Sequence, residues 1–253
     1  MCVLAHPDDE SLGTGGVLAK YGGEGVATYV VSATRGERGR FDDSGHSPGP
    51  EVVGRAREAE LRAAADVLGV HEVILLDYHD GALDEAPAGQ AAEAIAVHIR
   101  RIKPHVVVSF DPYGAYGHRD HIAISQLTTA AIVRAADTHR VTKFYYFVTG
   151  AEKWAAYQAA FKTMTSKVDG TVREATAWPD WAITTVVDAT AVWRTVWRAV
   201  QCHKTQLSIY TNLGALSEED QTLIWGRAEF YRVFSMVNGG RERETDLFEG
   251  ITR

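Results

Sequence analysis

Two stretches of the chain concentrate side chains that can bind a metal or move a proton: Ala5-His6-Pro7-Asp8-Asp9-Glu10 and Asp111-Pro112-Tyr113-Gly114-Ala115-Tyr116-Gly117-His118-Arg119-Asp120-His121. Together they hold three histidines and five acidic residues. Two histidines and one carboxylate are a common hydrolytic zinc set that leaves one position open for water, whose pKa the ion lowers toward about 7. A remaining Asp and His can then act as base and acid on an amide. Each stretch alone has a plainer reading. A His-Pro-Asp turn is commonly just a strand end, and Asp-x-x-Gly-x-x-Gly-His suits a turn for backbone reasons. Their joint appearance at two strand ends is the specific signal.

Elements must exist to bring the two stretches together. Apolar runs predict strands at 1–5, 26–32, 72–76, 105–110 and 143–148. Helical spacing predicts helices over 12–21, 52–68 (stopping at Gly69), 90–102 (broken before Pro104) and 121–136, with a polar loop from 34 to 50. This alternation predicts an α/β fold, a Rossmann-like, mostly parallel twisted sheet with helices on both faces. In such sheets ligands bind beyond the carboxyl ends of the strands, where both clusters would lie. The last third is less regular, with helices expected at 153–161 and 191–204 and a strand at 182–187. All six tryptophans fall in it. No linker or repeat divides the chain, so a single domain over 1–253 is expected, with 150–253 as a C-terminal elaboration. Gly13-Thr14-Gly15-Gly16 lacks the G-x-G-x-x-G fingerprint, and no dinucleotide site is expected there.

Composition removes other classes. The 253 residues are 45% apolar and 23% charged, which excludes a disordered or fibrous chain. With 26 basic and 33 acidic residues the net charge is 26 − 33 = −7, so a general nucleic-acid binder is not expected. Cys2 and Cys202 are too few for a disulfide scaffold. No apolar run of about 18 residues is present to span a membrane. No signal peptide is visible before the charged cluster at Asp8, so a cytoplasmic protein is expected; a homo-oligomer is left open.

The two clusters closely resemble those of the LmbE-like (PIG-L) family of zinc-dependent N-deacetylases, which includes N-acetylglucosaminyl-phosphatidylinositol de-N-acetylases, enzymes of mycothiol and bacillithiol metabolism and deacetylases that tailor glycopeptide antibiotics. The resemblance extends to Thr34-Arg35-Gly36-Glu37-Arg38-Gly39, Arg57-Glu58-Ala59-Glu60-Leu61, Asp77-Tyr78-His79-Asp80-Gly81, His203-Lys204-Thr205-Gln206 and the ending Glu242–Gly250. It is weakest over 150–200. Only five residues precede His6, fewer than the family usually carries, so either the first strand is short or the natural start is truncated.

The resemblance implies that His6, Asp9 and His121 hold Zn2+ and that Asp8 is the base toward the attacking water. It makes His118 the acid or electrostatic partner, oriented by Asp120, and puts Tyr116 near the oxyanion. Glu37, Arg57 and Asp80 would contact substrate, although Glu37 also suits an ordinary loop charge and Arg57 an ion pair on a solvated helix face. His203 suits a supporting role. The expected substrate is an N-acylated amino sugar or glycosylated natural product, with the acetyl group as the expected acyl. Two other readings stand beside it: an amidase of a mycothiol-like thiol conjugate, and a non-catalytic α/β protein that holds a sugar or nucleotide. The tryptophans of the last third suit an apolar acceptor, but they suit ordinary packing as well.

Overall fold

The computed structural model describes residues 1–42, 45–161, 164–168, 170–240 and 242–252. Five strands, β1 (Cys2–Leu4), β2 (Tyr29–Thr34), β3 (Glu72–Tyr78), β4 (Val106–Ser109) and β5 (Lys143–Val148), pair in parallel. A hairpin of β6 (Thr165–Val168) and β7 (Thr171–Glu174) stands apart. Of two later strands, β9 (Arg227–Ser235) pairs antiparallel with β5 and β8 (Thr185–Asp188) antiparallel with β9, giving the order β3-β2-β1-β4-β5-β9-β8. The α/β sheet is therefore mostly parallel, as the alternation predicts. β1 and β4 are short and fully buried (Cys-Val-Leu and Val-Val-Val-Ser), because helices cover both faces of a parallel sheet and leave no polar side for alternation.

Two helical layers flank the sheet. One packs α1 (Asp9–Gly23), α2 (Pro50–Leu68) and α7 (Trp193–Val200) together; the other pairs α3 (Ala88–Ile102) with α5 (Arg119–Ala135). Gly15 and Gly16 of α1 lie against Val196 and the Trp225 carbonyl, so their smallness serves close packing rather than a phosphate. The four-residue α4 (Gly114–Gly117), α6 (Ala151–Ala160), α8 (Leu207–Gly214) and α9 (Glu218–Gly226) complete the set.

Most expected elements are present, with ends shifted by a few residues. The differences are instructive. The helix expected from Leu12 starts at Asp9, because Asp9 and Glu10 sit in its first turn, where acidic side chains suit the free N–H groups. The helix expected over 191–204 ends at Val200. The hairpin of β6 and β7, together with β9, α8 and α9, was not expected. In β9, Arg227, Glu229 and Arg232 interrupt the apolar pattern, yet Glu229 is buried, held by Gly150 N–H and Arg227. No helix among the described residues is long and apolar enough to cross a membrane.

Candidate metal centre and substrate cavity

Strand order reverses between β1 and β4, and both chemical clusters emerge there. After β1 the chain turns sharply through Asp8, whose φ of 113° and ψ of −28° lie where few residues other than glycine go. Such a conformation costs on the order of 1–3 kcal/mol and persists only where its surroundings enforce it. Here Asp8 N–H donates to Glu10 Oε2 at 2.9 Å, and the Asp8 carbonyl accepts from Ser11 and Leu12 in the first turn of α1. After β4, Ala115 takes a φ of 61° within α4, and His118 becomes the N-cap of α5, its Nδ1 accepting from Asp120 N–H at 3.2 Å.

His6, Asp9 and His121, all buried, converge in this crevice. His6 Nδ1 lies 3.2 Å from His121 Nε2; His121 Nε2 lies 3.5 Å from Asp9 Oδ1; and His6 Nδ1 lies 3.7 Å from Asp9 Oδ2. Ligand atoms about 2.0–2.2 Å from a tetrahedral ion stand about 3.3–3.6 Å apart, so the two ring nitrogens have the spacing of two ligands of such an ion, with Asp9 turning Oδ1 to one ring and Oδ2 to the other. The outer ring nitrogens are fixed as such a site needs. His121 Nδ1 faces the Gly114 carbonyl at 3.3 Å, which leaves Nε2 as the lone-pair nitrogen. His6 Nε2 faces Asp120 Oδ2 at 3.1 Å and Asp80 Oδ1 at 3.2 Å, which frees Nδ1. Asp9 Oδ2 is anchored by the N–H groups of Ala5 and His6.

The charge balance also calls for a cation. Burial opposes a charge on His6, but the bonds from Asp120 and Asp80 and the charges of Asp9 and Asp80 outweigh it and raise its pKa to about 10. The same burial, with His6 and His118 nearby, pushes His121 well below its ordinary value and keeps it neutral. Two ring nitrogens and a carboxylate brought this close are a donor set that fits a divalent ion.

Two other groupings bring metal-ligand atoms within 4.8 Å of one another: His6 with His118 and His121, and His6 with Asp80 and Asp120. In the second, both carboxylates sit on the outer nitrogen of His6 and accept backbone N–H bonds, from Arg38 to Asp80 and from Gly81 and Leu83 to Asp120. They brace the ring. His118 already accepts the Asp120 N–H through Nδ1, so its neutral form carries the proton on Nε2. Burial, and then the His6 charge, lower its pKa. Tyr116 places its ring 5.2 Å from that of His121 and 6.0 Å from that of His118, completing the wall.

The structure shows what several of these residues touch within the protein. Asp120 meets His118 only through its backbone N–H; its carboxylate, fully buried, serves His6, because the first turn of α5 points that side chain back under β1. Asp80, expected at substrate hydroxyls, shares the His6 nitrogen, although it also lines the cavity. Arg57, expected at substrate, donates to the carbonyls of Pro7 and Gly36 and to Asp8 Oδ2 at 3.0 Å. Gly36 is a glycine of necessity: its φ is 61°, and a Cβ there would collide with the Arg57 guanidinium. Glu37 accepts the Asp80 N–H at 2.9 Å and ties two loops together, outside the cavity wall.

Asp8 is held the same way. Its Oδ2 accepts from Arg57 and, at 2.7 Å, from the Tyr210 hydroxyl of α8, while Oδ1 makes no hydrogen bond among the described residues. Tyr210 was missed, since a lone tyrosine in Leu207–Gly214 carries no sequence signal. Behind Asp8 lies a fully buried pair, with His203 Nε2 2.8 Å from Glu10 Oε1. Burial alone would raise the Glu10 carboxyl, but the His203 charge and hydrogen bond bring it below its ordinary value. The other family-like motifs also brace the site. Thr205 binds Glu60 of α2 through both N–H and hydroxyl, and Gln206 donates to the Arg40 carbonyl.

The centre forms the floor of a cavity of about 710 Å³, lined by His6, Asp8, Asp9, Tyr116, His118 and His121 and, farther out, by aromatic side chains of the last third. Residues 1–132 match the PIG-L family, described as GlcNAc-PI de-N-acetylase. The 1D-myo-inositol 2-acetamido-2-deoxy-alpha-D-glucopyranoside deacetylase of Nocardiopsis dassonvillei is 32% identical over 286 aligned residues, covering 99% of this chain and 100% of that one. The chain belongs to the PIG-L family. Among solved structures, the N,N'-diacetylchitobiose deacetylase of Pyrococcus horikoshii aligns with a TM-score of 0.65 at 18% identity, over 92% of this chain and 82% of that one. The 4-carboxy-2-hydroxymuconate hydratase GalB of Pseudomonas putida aligns with 0.62 at 21%, over 94% and 98%. The PIG-L fold thus carries more than one reaction, and the site has to decide.

Proposed function

We propose that this PIG-L protein is a zinc-dependent hydrolase that removes the N-acetyl group from an acetylated amino-sugar glycoside. The observation that carries the reading is Asp8, whose carboxylate is held at one oxygen by Arg57 and Tyr210 and whose other oxygen is left without a hydrogen bond among the described residues, beside the facing nitrogens of His6 and His121. A divalent ion held by His6, Asp9 and His121 would supply Lewis acidity, polarising the acyl oxygen and acidifying a water. The remaining work belongs to the protein. Asp8 Oδ1 takes the proton of the attacking water, because Oδ2 is occupied by Arg57 and Tyr210. His118 presents Nε2–H as a hydrogen-bond donor to the charge that develops on the tetrahedral intermediate, and the proton taken by Asp8 passes to the departing amine as the C–N bond breaks. Tyr116 closes the side on which the acyl oxygen gains charge, its hydroxyl kept protonated by burial and the nearby carboxylates of Asp9 and Asp8.

The name of the Nocardiopsis relative supports an acetylated glucosamine as the sugar. The test is amine release from N-acetylglucosamine, from its inositol glycoside and from an N-acetylcysteinyl thiol conjugate, with chelator and zinc add-back. Chelator-sensitive release from a glycoside, restored by zinc, is expected. Release from the thiol conjugate alone would favour the amidase reading. Silence toward all three with zinc bound would overturn the hydrolase.

A further inference from the structure

The metal-proximal floor accounts for only part of the cavity. Away from it the cavity is also lined by α6, and this part we call its arm; the α6 sequence puts Trp154 and Tyr157 three residues apart on one helical face, while Ala156 and Ala160 turn to the core. Phe147, Trp178 and Leu213 of α8 line the same cavity. Phe147 packs on Phe110 with ring centroids 4.6 Å apart, and Phe110 in turn stacks on His121 at 3.9 Å, so the apolar wall runs without a break from the metal centre outward. Some of the polar atoms on this wall are already used. Trp178 Nε1 donates to Asp111 Oδ2 at 2.7 Å, and Lys153 Nζ donates to the Arg227 carbonyl at 2.9 Å. The aromatic faces of Trp154, Tyr157, Phe147 and Trp178 are the larger part of what this wall offers, and a flat apolar group would bury its own faces against them.

We infer that the arm receives the aglycone of the amino sugar, and that this aglycone is aromatic or otherwise apolar rather than an inositol-like polyol. The inference rests on the proposed deacetylase activity: an acetyl group is too small to fill the arm, which leaves the glycosidic substituent. A cavity of about 710 Å³ is of the size that takes a drug-sized molecule rather than one sugar ring.

The test compares kcat/KM of the zinc-loaded protein on the methyl, inositol and 2-naphthyl glycosides of N-acetylglucosamine and on the methyl glycoside of N-octanoylglucosamine. Tryptophan-fluorescence titration of the zinc-free protein with 2-naphthyl glucosaminide gives a binding readout that needs no catalysis. The naphthyl glycoside is expected to exceed the methyl glycoside by about 10- to 100-fold, the worth of burying one aromatic side chain's area. Trp154→Ala, and independently Thr176→Trp at the exposed rim of the cavity, should each reduce that ratio by at least about fivefold and weaken the fluorescence titration. Equal kcat/KM on methyl and naphthyl glycosides, or a preference for inositol, would overturn the inference while leaving the deacetylase intact. A gain confined to the N-octanoyl substrate would also overturn it, by assigning the arm to the acyl group. Turnover of none of the four would instead overturn the deacetylase reading, and the titration would still report whether the arm takes an aromatic group.

Discussion

Replacing Asp120 with Asn separates two accounts of the site. The family resemblance orients His118 through Asp120, whereas the structure puts the Asp120 carboxylate on His6. Oδ2 accepts from His6 Nε2 at 3.1 Å and from Gly81 N–H at 2.6 Å, and Oδ1 accepts from Leu83 N–H at 3.1 Å. A carboxamide of the same shape has one acceptor and one donor end. Whichever way it settles, an NH2 group faces a buried N–H, and if it is the end toward His6 the ring loses the partner that fixes its tautomer. One unsatisfied buried donor costs about 1–3 kcal/mol of folding stability. Loss of the group that orients a metal-binding histidine typically weakens metal binding about 10- to 100-fold, or about 1.4–2.7 kcal/mol. Zinc affinity of Asp120→Asn, measured by competition against a chromophoric chelator, should therefore fall by that factor, and the zinc-free protein should unfold at lower urea. The opposite pattern, wild-type zinc affinity with a reduced kcat, would refute the reasoning and restore Asp120 to the service of His118.

Other perturbations follow from the same geometry. Tyr210→Phe removes one of the two donors to Asp8 Oδ2, a hydrogen bond to a charged group worth about 1.5–3 kcal/mol, so kcat should drop about 10- to 150-fold with zinc content unchanged; a kcat within twofold of wild type would remove Tyr210 from the site. His121→Ala should lose both zinc and activity, whereas Asp8→Ala should keep zinc, by metal analysis, and lose rate. Zinc at about 100 times its Kd should raise folding stability by about 2.7 kcal/mol over the chelated protein in urea unfolding, and coincident curves would mean that the ion is not held by the native fold. Far from the site, Glu244 joins fully buried Lys143 at 2.6 Å. Burial alone would raise this carboxyl, but bonds from Lys143, Thr185, Asn238 and Tyr145 bring it from 4.5 down to about 2. With the folded value below the unfolded one, its contribution is complete above about pH 4.5 and is lost as pH falls toward 2. Glu244→Ala should cost about 3–5 kcal/mol at neutral pH by leaving Lys143 unpaired, with the gap to wild type closing toward pH 2.

What the sequence discloses is set by how local each signal is. β1, β2, β4 and β5 are legible because burial on both faces writes an unbroken apolar run. The two chemical clusters are legible because ligands of an open parallel sheet bind beyond its strand ends, whereas the choice of His6, Asp9 and His121 among their residues rests on the family resemblance. Which nitrogen of His6 faces inward depends on Asp80 and Asp120, whose loops approach it from distant parts of the chain. For that reason the roles of Asp120, Asp80 and Arg57 could not be assigned from their positions. Tyr210 is invisible for the same cause, its meaning residing in a contact 202 residues away. The hairpin of β6 and β7 had a usable signal in Asp169-Gly170, a dipeptide favoured in tight hairpins, but its flanks are polar and carry no apolar alternation. That hairpin matters to the site. Ser166 donates to the Tyr116 carbonyl and Arg173 to that of Gly117, steadying the loop before His118.

The C-terminal third thus reaches the candidate site through Tyr210 on Asp8 and His203 on Glu10. The family match ends at residue 132, and every proposed metal ligand, base and acid lies within that span. Yet the strained Asp8 backbone is braced by Glu10, and Glu10 is held in charge balance by His203. The carboxylate of Asp8 is aimed by Arg57 from α2 and by Tyr210 from α8. A fragment ending near 132 would retain the ligands but lose both C-terminal supports. It would leave Glu10 as a buried carboxylate without a cation, a defect that typically costs about 3–5 kcal/mol. The strain at Asp8 would then have less to enforce it and would relax, carrying Asp9 with it, because the two residues share one turn. The chemistry is encoded in the first half of the chain; its geometry depends on the second.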